Sequence, residues 1–266
     1  MKNILVIILF FLSIGSIAQM RKERGAIFPL DRELRNGGFM VAPGLTYTFA
    51  PKTNGTLIEN DTLKTTYEAN AKGKIGGFIH AGWFHSFENP SLIHFIDFGI
   101  SYKLFRGETE ETQSTVKNGT AQPDLMNTYS FSDHNLGLYF NATHSTHLSQ
   151  NTFLSNSIGF NGDYILIEDR EYSGDQPSLN PTTPDELTVQ LHYKIGIGFR
   201  AFKKLLIVPS LETPILSIQP FENGKSTLSY FNNNYRPLLV SVQFYFLRDD
   251  PVNCSSPTYN GPDYGM

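Results

Sequence analysis

Residues 187–201 read LTVQLHYKIGIGFRA. One register holds Leu187, Val189, Leu191, Tyr193, Ile195, Ile197 and Phe199. The other holds Thr188, Gln190, His192, Lys194, Gly196, Gly198 and Arg200. Alternation with period two puts the two sets on opposite faces of a β-strand. One face is wholly apolar. In a water-soluble sheet it would pack on a core; here it is read as facing lipid.

The same alternation recurs along the chain. Including 187–201, eight strands are predicted, the others at about 38–50, 74–87, 93–105, 132–143, 153–167, 205–217 and 237–247. In the third, Ile96, Phe98, Ile100, Tyr102 and Leu104 oppose Asp97, Gly99, Ser101 and Lys103. The second is rich in Gly and aromatics, and its register is ambiguous. The seventh is interrupted by Pro209 and Pro214, which belong at edges or bulges. The connections alternate between short (87–92, 145–152, 202–204) and long (50–74, 105–131, 168–186, 219–236). Short periplasmic turns and long external loops are the asymmetry of an outer-membrane barrel. A lipocalin-like barrel or β-sandwich also alternates. Its solvated face would be rich in Lys and Glu, whereas the polar registers here carry Gly, Ser, Asn and scattered charge. The fold expected is an all-β, eight-stranded antiparallel transmembrane barrel with both termini periplasmic.

The remaining composition agrees. Ile4 to Ile14 is an apolar run followed by Ser16-Ile17-Ala18, a signal peptide with cleavage before Gln19. The mature chain then has 20 basic and 25 acidic residues, which argues against nucleic acid as a partner. No later stretch is apolar enough for a membrane helix. Strands could cross only as a closed barrel, because lipid leaves no partner for an open sheet edge. The organisation expected is 1–18 signal peptide, 19–36 periplasmic N-terminal segment, 37–248 barrel and 249–266 periplasmic tail.

The eight-strand pattern, the signal ending Ser16-Ile17-Ala18-Gln19 and the aromatic strand Val242-Gln243-Phe244-Tyr245-Phe246 resemble the small outer-membrane β-barrel proteins of Bacteroidetes. The resemblance implies fold and location across nearly the whole mature chain. The chain continues about 20 residues past the aromatic strand, where such proteins usually end. Barrels with such a tail loosely resemble the barrel subunits of the type IX secretion machinery, which touch a periplasmic ring.

The polar registers place Asp97, Lys103, Asp133, Asp163, His192, Lys194, Arg200 and Glu212 inside the barrel. An eight-strand interior is just wide enough for side chains to fill, and buried charges must be paired. These residues are expected to close the lumen as a charge network. His85, His94, His144 and His147 fall near the short turns, without the convergent spacing of a metal site. His85-Ser86 and His144-Ser145 are the adjacent His-Ser pairs, but neighbours on a strand face opposite sides. No G-x-S-x-G, H-E-x-x-H or phosphate loop is present. The chain is therefore read as a non-enzymatic binding or assembly barrel needing no cofactor. The alternative is a lipid A-modifying enzyme. Expected partners are outer-membrane lipid, lipopolysaccharide and a periplasmic or outer-membrane protein. Cys254, Tyr259 and Tyr264, on a tail too polar to build a core, are the docking candidates.

Overall fold

A computed structural model describes residues 34–60, 62–87, 92–149, 151–174, 181–202, 204–221 and 224–249, with the side chains of 34–36 and 249 left aside. Its twelve strands are β1 (Leu34–Phe49), β2 (Thr53–Glu59), β3 (Leu63–Lys74), β4 (Gly76–Ser86), β5 (Phe95–Lys117), β6 (Thr120–Ala121), β7 (Leu125–His147), β8 (Thr152–Gly174), β9 (Leu187–Phe202), β10 (Leu205–Gln219), β11 (Leu228–Tyr230) and β12 (Asn233–Asp249).

Eight of them close a ring. Antiparallel ladders join β1 to β4, β4 to β5, β5 to β7, and so on through β8, β9, β10 and β12 back to β1. Closure leaves no open edge in the membrane. The ambiguous second strand takes one register: Phe78, His80 and Phe84 point in, and Ile79 and Trp83 point out. Pro214 sits at a register shift between β10 and β9.

The outside is apolar where the ring is complete. Leu138 is 68% exposed, Ile100 57% and Trp83 56%. A contiguous face of this kind is not left in water. Phe246, Phe39, Trp83, Phe98, Phe140 and Phe160 are cross-strand partners in one continuous row over six strands. Such a row matches the aromatic girdle of membrane barrels. On β7 the outward residues change from Leu136, Leu138 and Phe140 to His134, Ser132, Ser130 and Thr128, which marks the external edge of the apolar band.

Beyond that edge the structure corrects one expectation. Much of 50–74, 105–131 and 168–186 is strand rather than loop. β5, β7 and β8 each run 23 residues, about twice what a bilayer crossing needs. β3 pairs with the upper half of β5, and β2 pairs with β3. Together they raise a polar sheet above the membrane. Its exposed face carries the pairs Lys72–Glu110 (2.5 Å), Lys74–Glu108 (2.6 Å) and Lys52–Glu68. The Glu110 carboxylate holds the Lys72 ammonium above its ordinary pKa, and its own pKa falls in return. The barrel itself runs from Leu34 to Asp249, slightly wider than 37–248.

Candidate functional site

Along the barrel axis the inward side chains form three layers. At the turn end lies an apolar floor of Met40, Ala42, Phe84, Phe95, Tyr139, Phe153, Leu206, Val208, Tyr245 and Leu247. All of these residues belong to the wall strands. Phe84 and Phe95 both meet the Tyr245 ring edge-on, at 5.1 and 5.6 Å.

The middle layer is charged. Lys103 Nζ donates to both oxygens of Asp163, at 2.9 and 2.7 Å. Asn141 donates to Asp97 at 2.6 Å, and Lys194 Nζ stands 3.7 Å from the same oxygen. Glu212 accepts from Asn161 at 2.7 Å and lies 2.9 Å from His192 Nδ1. His80 stacks on Tyr139 at 4.6 Å. Charge at this depth stays only if it is paired and hydrogen-bonded. Several polar atoms here are buried without a hydrogen-bond partner: His80 Nε2, Ser101 Oγ, Tyr139 OH, Asn161 Oδ1, His192 Nε2 and Lys194 Nζ.

The upper layer closes the external mouth with rings. Phe105, Tyr129, Phe131 and Tyr235 come from the wall, and Leu228, Tyr230 and Phe231 come from the β11–β12 hairpin. Tyr230 stacks on Phe131 at 3.7 Å, and Phe231 on Tyr129 at 4.7 Å. Gly107 makes room for the stack: a Cβ there would lie 2.5 Å from Phe131 and 2.9 Å from Tyr235. Tyr230 donates to Asp133 Oδ2 at 2.6 Å, and the Arg170 guanidinium lies 3.7 Å from that oxygen and 5.8 Å from the Tyr230 ring centre. Burial raises the Asp133 pKa above the usual carboxylate value, against the lowering effects of Tyr230 and Arg170. Burial likewise pushes the Tyr235 hydroxyl up to about 12.

The predicted charge set is thus divided. Asp97, Lys103, Asp163, His192, Lys194 and Glu212 share the middle layer. Asp133 points inward but belongs to the upper layer, with Tyr230 and Arg170. Arg200 lies half-buried at the turn end, and among the described residues no carboxylate pairs with it. The aromatic layers were not anticipated. For Phe95, Tyr139, Phe153 and Tyr245 the signal was their inward parity; for Tyr230 and Phe231 there was none, since 219–236 reads as loop. Cys254, Tyr259 and Tyr264 lie outside the described residues, as does 1–18.

At the turn-end rim, His144 Nδ1 donates to the Leu92 carbonyl at 2.7 Å, and its ring meets His94 at 4.8 Å. His94 Nδ1 accepts from the Ser145 amide at 3.2 Å. His85 faces outward and Ser86 and Ser145 face the lumen. Among the described residues no group of three His, Cys, Asp or Glu could hold a metal ion.

A closed antiparallel ring of even strand number, apolar and girdled outside, polar inside and tightly turned at one end, defines an outer-membrane β-barrel. No family model matches the chain, and no curated protein matches it. Among solved structures it is similar to the outer membrane protein OprG from Pseudomonas aeruginosa, at 9% identity over 80% of this chain and 97% of that one, with a TM-score of 0.39. Ail, the attachment invasion locus protein of Yersinia pestis, is similar at 10% identity over 79% and 99%, with a TM-score of 0.26. The outer membrane protease OmpT from Escherichia coli is similar at 9% identity over 81% and 98%, with a TM-score of 0.30. The class rests on the geometry of the ring and its apolar band, not on these distant likenesses.

Proposed function

We propose that this outer-membrane barrel is a non-enzymatic scaffold for binding or assembly. The observation that carries the reading is the division of labour along its axis. The lumen is filled by ring layers and paired charge, while β2, β3, β5, β7 and β8 carry ordered sheet well past the membrane. A filled lumen suits a pedestal better than a channel, and rigid sheet outside the membrane suits a surface that is presented. The rim supports the same side of the choice. His144 is held by a backbone carbonyl, and the neighbouring serine faces the other way, which weighs against the His-Ser pairs serving as nucleophile and base of an acyl-transfer enzyme.

The proposed partners include outer-membrane lipid and lipopolysaccharide, a reading that the exposed apolar band supports. A role in a Bacteroidetes secretion complex is the finer form of the proposal. β12 ends at Asp249 on the turn side, and residues 250–266, with Cys254, Tyr259 and Tyr264, are proposed as a second, periplasmic docking element.

The test is photo-crosslinking in intact cells from positions 72 and 128 on the external sheet and from position 259. A discrete, reproducible protein adduct from either end is expected, with lipid A mass spectra unchanged when the protein is deleted. A change in lipid A structure on deletion, or adducts from no position, overturns the scaffold reading.

A further inference from the structure

The two apolar layers that seal the lumen differ in how they are attached. The floor is made of wall residues: Met40 and Ala42 on β1, Phe84 on β4, Phe95 on β5, Tyr139 on β7, Phe153 on β8, and Leu206 and Val208 on β10. It cannot leave without breaking the barrel. The upper layer is completed by Leu228, Tyr230 and Phe231, and among the described residues β11 pairs only with β12. Away from its own hairpin, the contacts that hold this tip include the ring stacks, the Tyr230–Asp133 bond, Arg170 over the Tyr230 ring and the loop residue Thr182. Thr182 accepts from Phe231 N at 2.8 Å and from Asn232 N at 2.9 Å.

The tip is also strained. Phe231 and Asn232 have φ of +49° and +63°. A two-residue turn with both φ values positive is the hairpin type normally filled by Asn-Gly or Gly-Gly. A bulky phenylalanine in that conformation is an outlier that persists only where its surroundings hold it. Here the holding force is the stack of Phe231 on Tyr129 and of its neighbour Tyr230 on Phe131, that is, the closed position itself. Beneath it lies a layer whose buried polar atoms outnumber their partners. His80, Ser101, Tyr139, His192 and Lys194 all present buried polar atoms that lack a hydrogen bond and that water would satisfy.

We propose that the β11–β12 hairpin tip is a removable stopper on a permanent floor, and that lifting it turns the upper lumen into a hydrated, outward-open cup with a closed base. This goes beyond the scaffold reading and does not depend on it. It separates two properties that a simple pore would couple: access to the middle layer from outside changes, while passage through the barrel does not.

The test uses the full chain in lipid vesicles with Cys254→Ser, so that the only thiol is the one introduced. Ser101→Cys places a probe in the middle layer at a hydroxyl that makes no bond, and Val208→Cys places one in the floor. A small membrane-impermeant thiol reagent is added outside, and labelling is timed. Tyr230→Phe keeps the stack on Phe131 and removes the bond to Asp133. Removing a hydrogen bond to a charged group should open the stopper about tenfold more often, so labelling at position 101 should quicken about tenfold while position 208 stays protected. Thr182→Cys with Asn232→Cys, oxidised before a reduced position-101 probe is exposed, should slow labelling below that of the unlocked barrel. Equal rates at position 101 with and without Tyr230→Phe overturn the proposal. A parallel rise at position 208 also overturns it, because that reports general loosening rather than a stopper.

Discussion

Asp163→Ala strands a lysine inside the membrane. The Lys103 side chain is 0% exposed and the Asp163 side chain 6%, and the ammonium donates to both carboxylate oxygens at 2.7 and 2.9 Å. At an effective dielectric of ~20 the attraction across such a contact is about 6 kcal/mol. Desolvating the two charges takes back most of it, so the intact pair adds little net stability. Removing one partner keeps the desolvation cost and loses the attraction, and should destabilise the barrel by about 3–5 kcal/mol. Lys103→Met with Asp163→Leu removes both charges and should recover most of that loss. The assay is equilibrium urea unfolding from lipid vesicles, followed by the emission of Trp83, the only tryptophan. A loss below about 1 kcal/mol, as for a solvent-exposed pair, would refute the claim that this pair is buried. So would a double variant no more stable than Asp163→Ala.

Three further outcomes are expected. For Asp133, burial raises the folded pKa above the unfolded one, so its contribution is present below the unfolded value and is lost as pH rises through the folded value. The stability difference between the wild type and Asp133→Asn should therefore grow as pH falls from 7 into the carboxylate range, and a difference constant with pH contradicts this. Gly107→Ala drives a methyl into Phe131 and Tyr235 and should cost about 1–3 kcal/mol by the same urea assay; no loss means that the upper ring layer is loosely packed. Planar-bilayer recordings of the pure protein, and of Tyr230→Phe, should show no stable large conductance, because the floor layer stays in place; steps in either protein contradict a permanent floor.

The membrane-embedded half of the fold was legible because lipid makes a two-sided demand. Along 187–199 and 96–104 every outward position must be apolar, and the inward positions are free of that demand, so period two stands out even in a single chain. Above the membrane the demand disappears. On β5, inward Thr109, Glu111 and Gln113 alternate with outward Glu108, Glu110 and Thr112, polar against polar, and the outer half of a 23-residue strand reads as a loop. The charge layer could be placed by parity but not partitioned. Parity states that Asp97 and Asp133 both point inward, not that the first meets Asn141 and Lys194 while the second meets Tyr230. The floor was hidden for a related reason: aromatics in a membrane barrel are attributed to the girdle, yet Tyr139 and Tyr245 occupy inward positions. The hairpin stopper depends on a contact between residues 131 and 230 that no local pattern encodes.

The central claim is that the alternating apolar face meets acyl chains rather than water or a protein core. Trp83 reports on it directly, since it sits in the aromatic row between Phe39 and Phe98 and points outward. In vesicles containing lipids brominated along the acyl chain, its fluorescence should be strongly quenched, and aqueous acrylamide should quench it weakly. Strong quenching by acrylamide, with no effect from brominated lipid, would contradict the account.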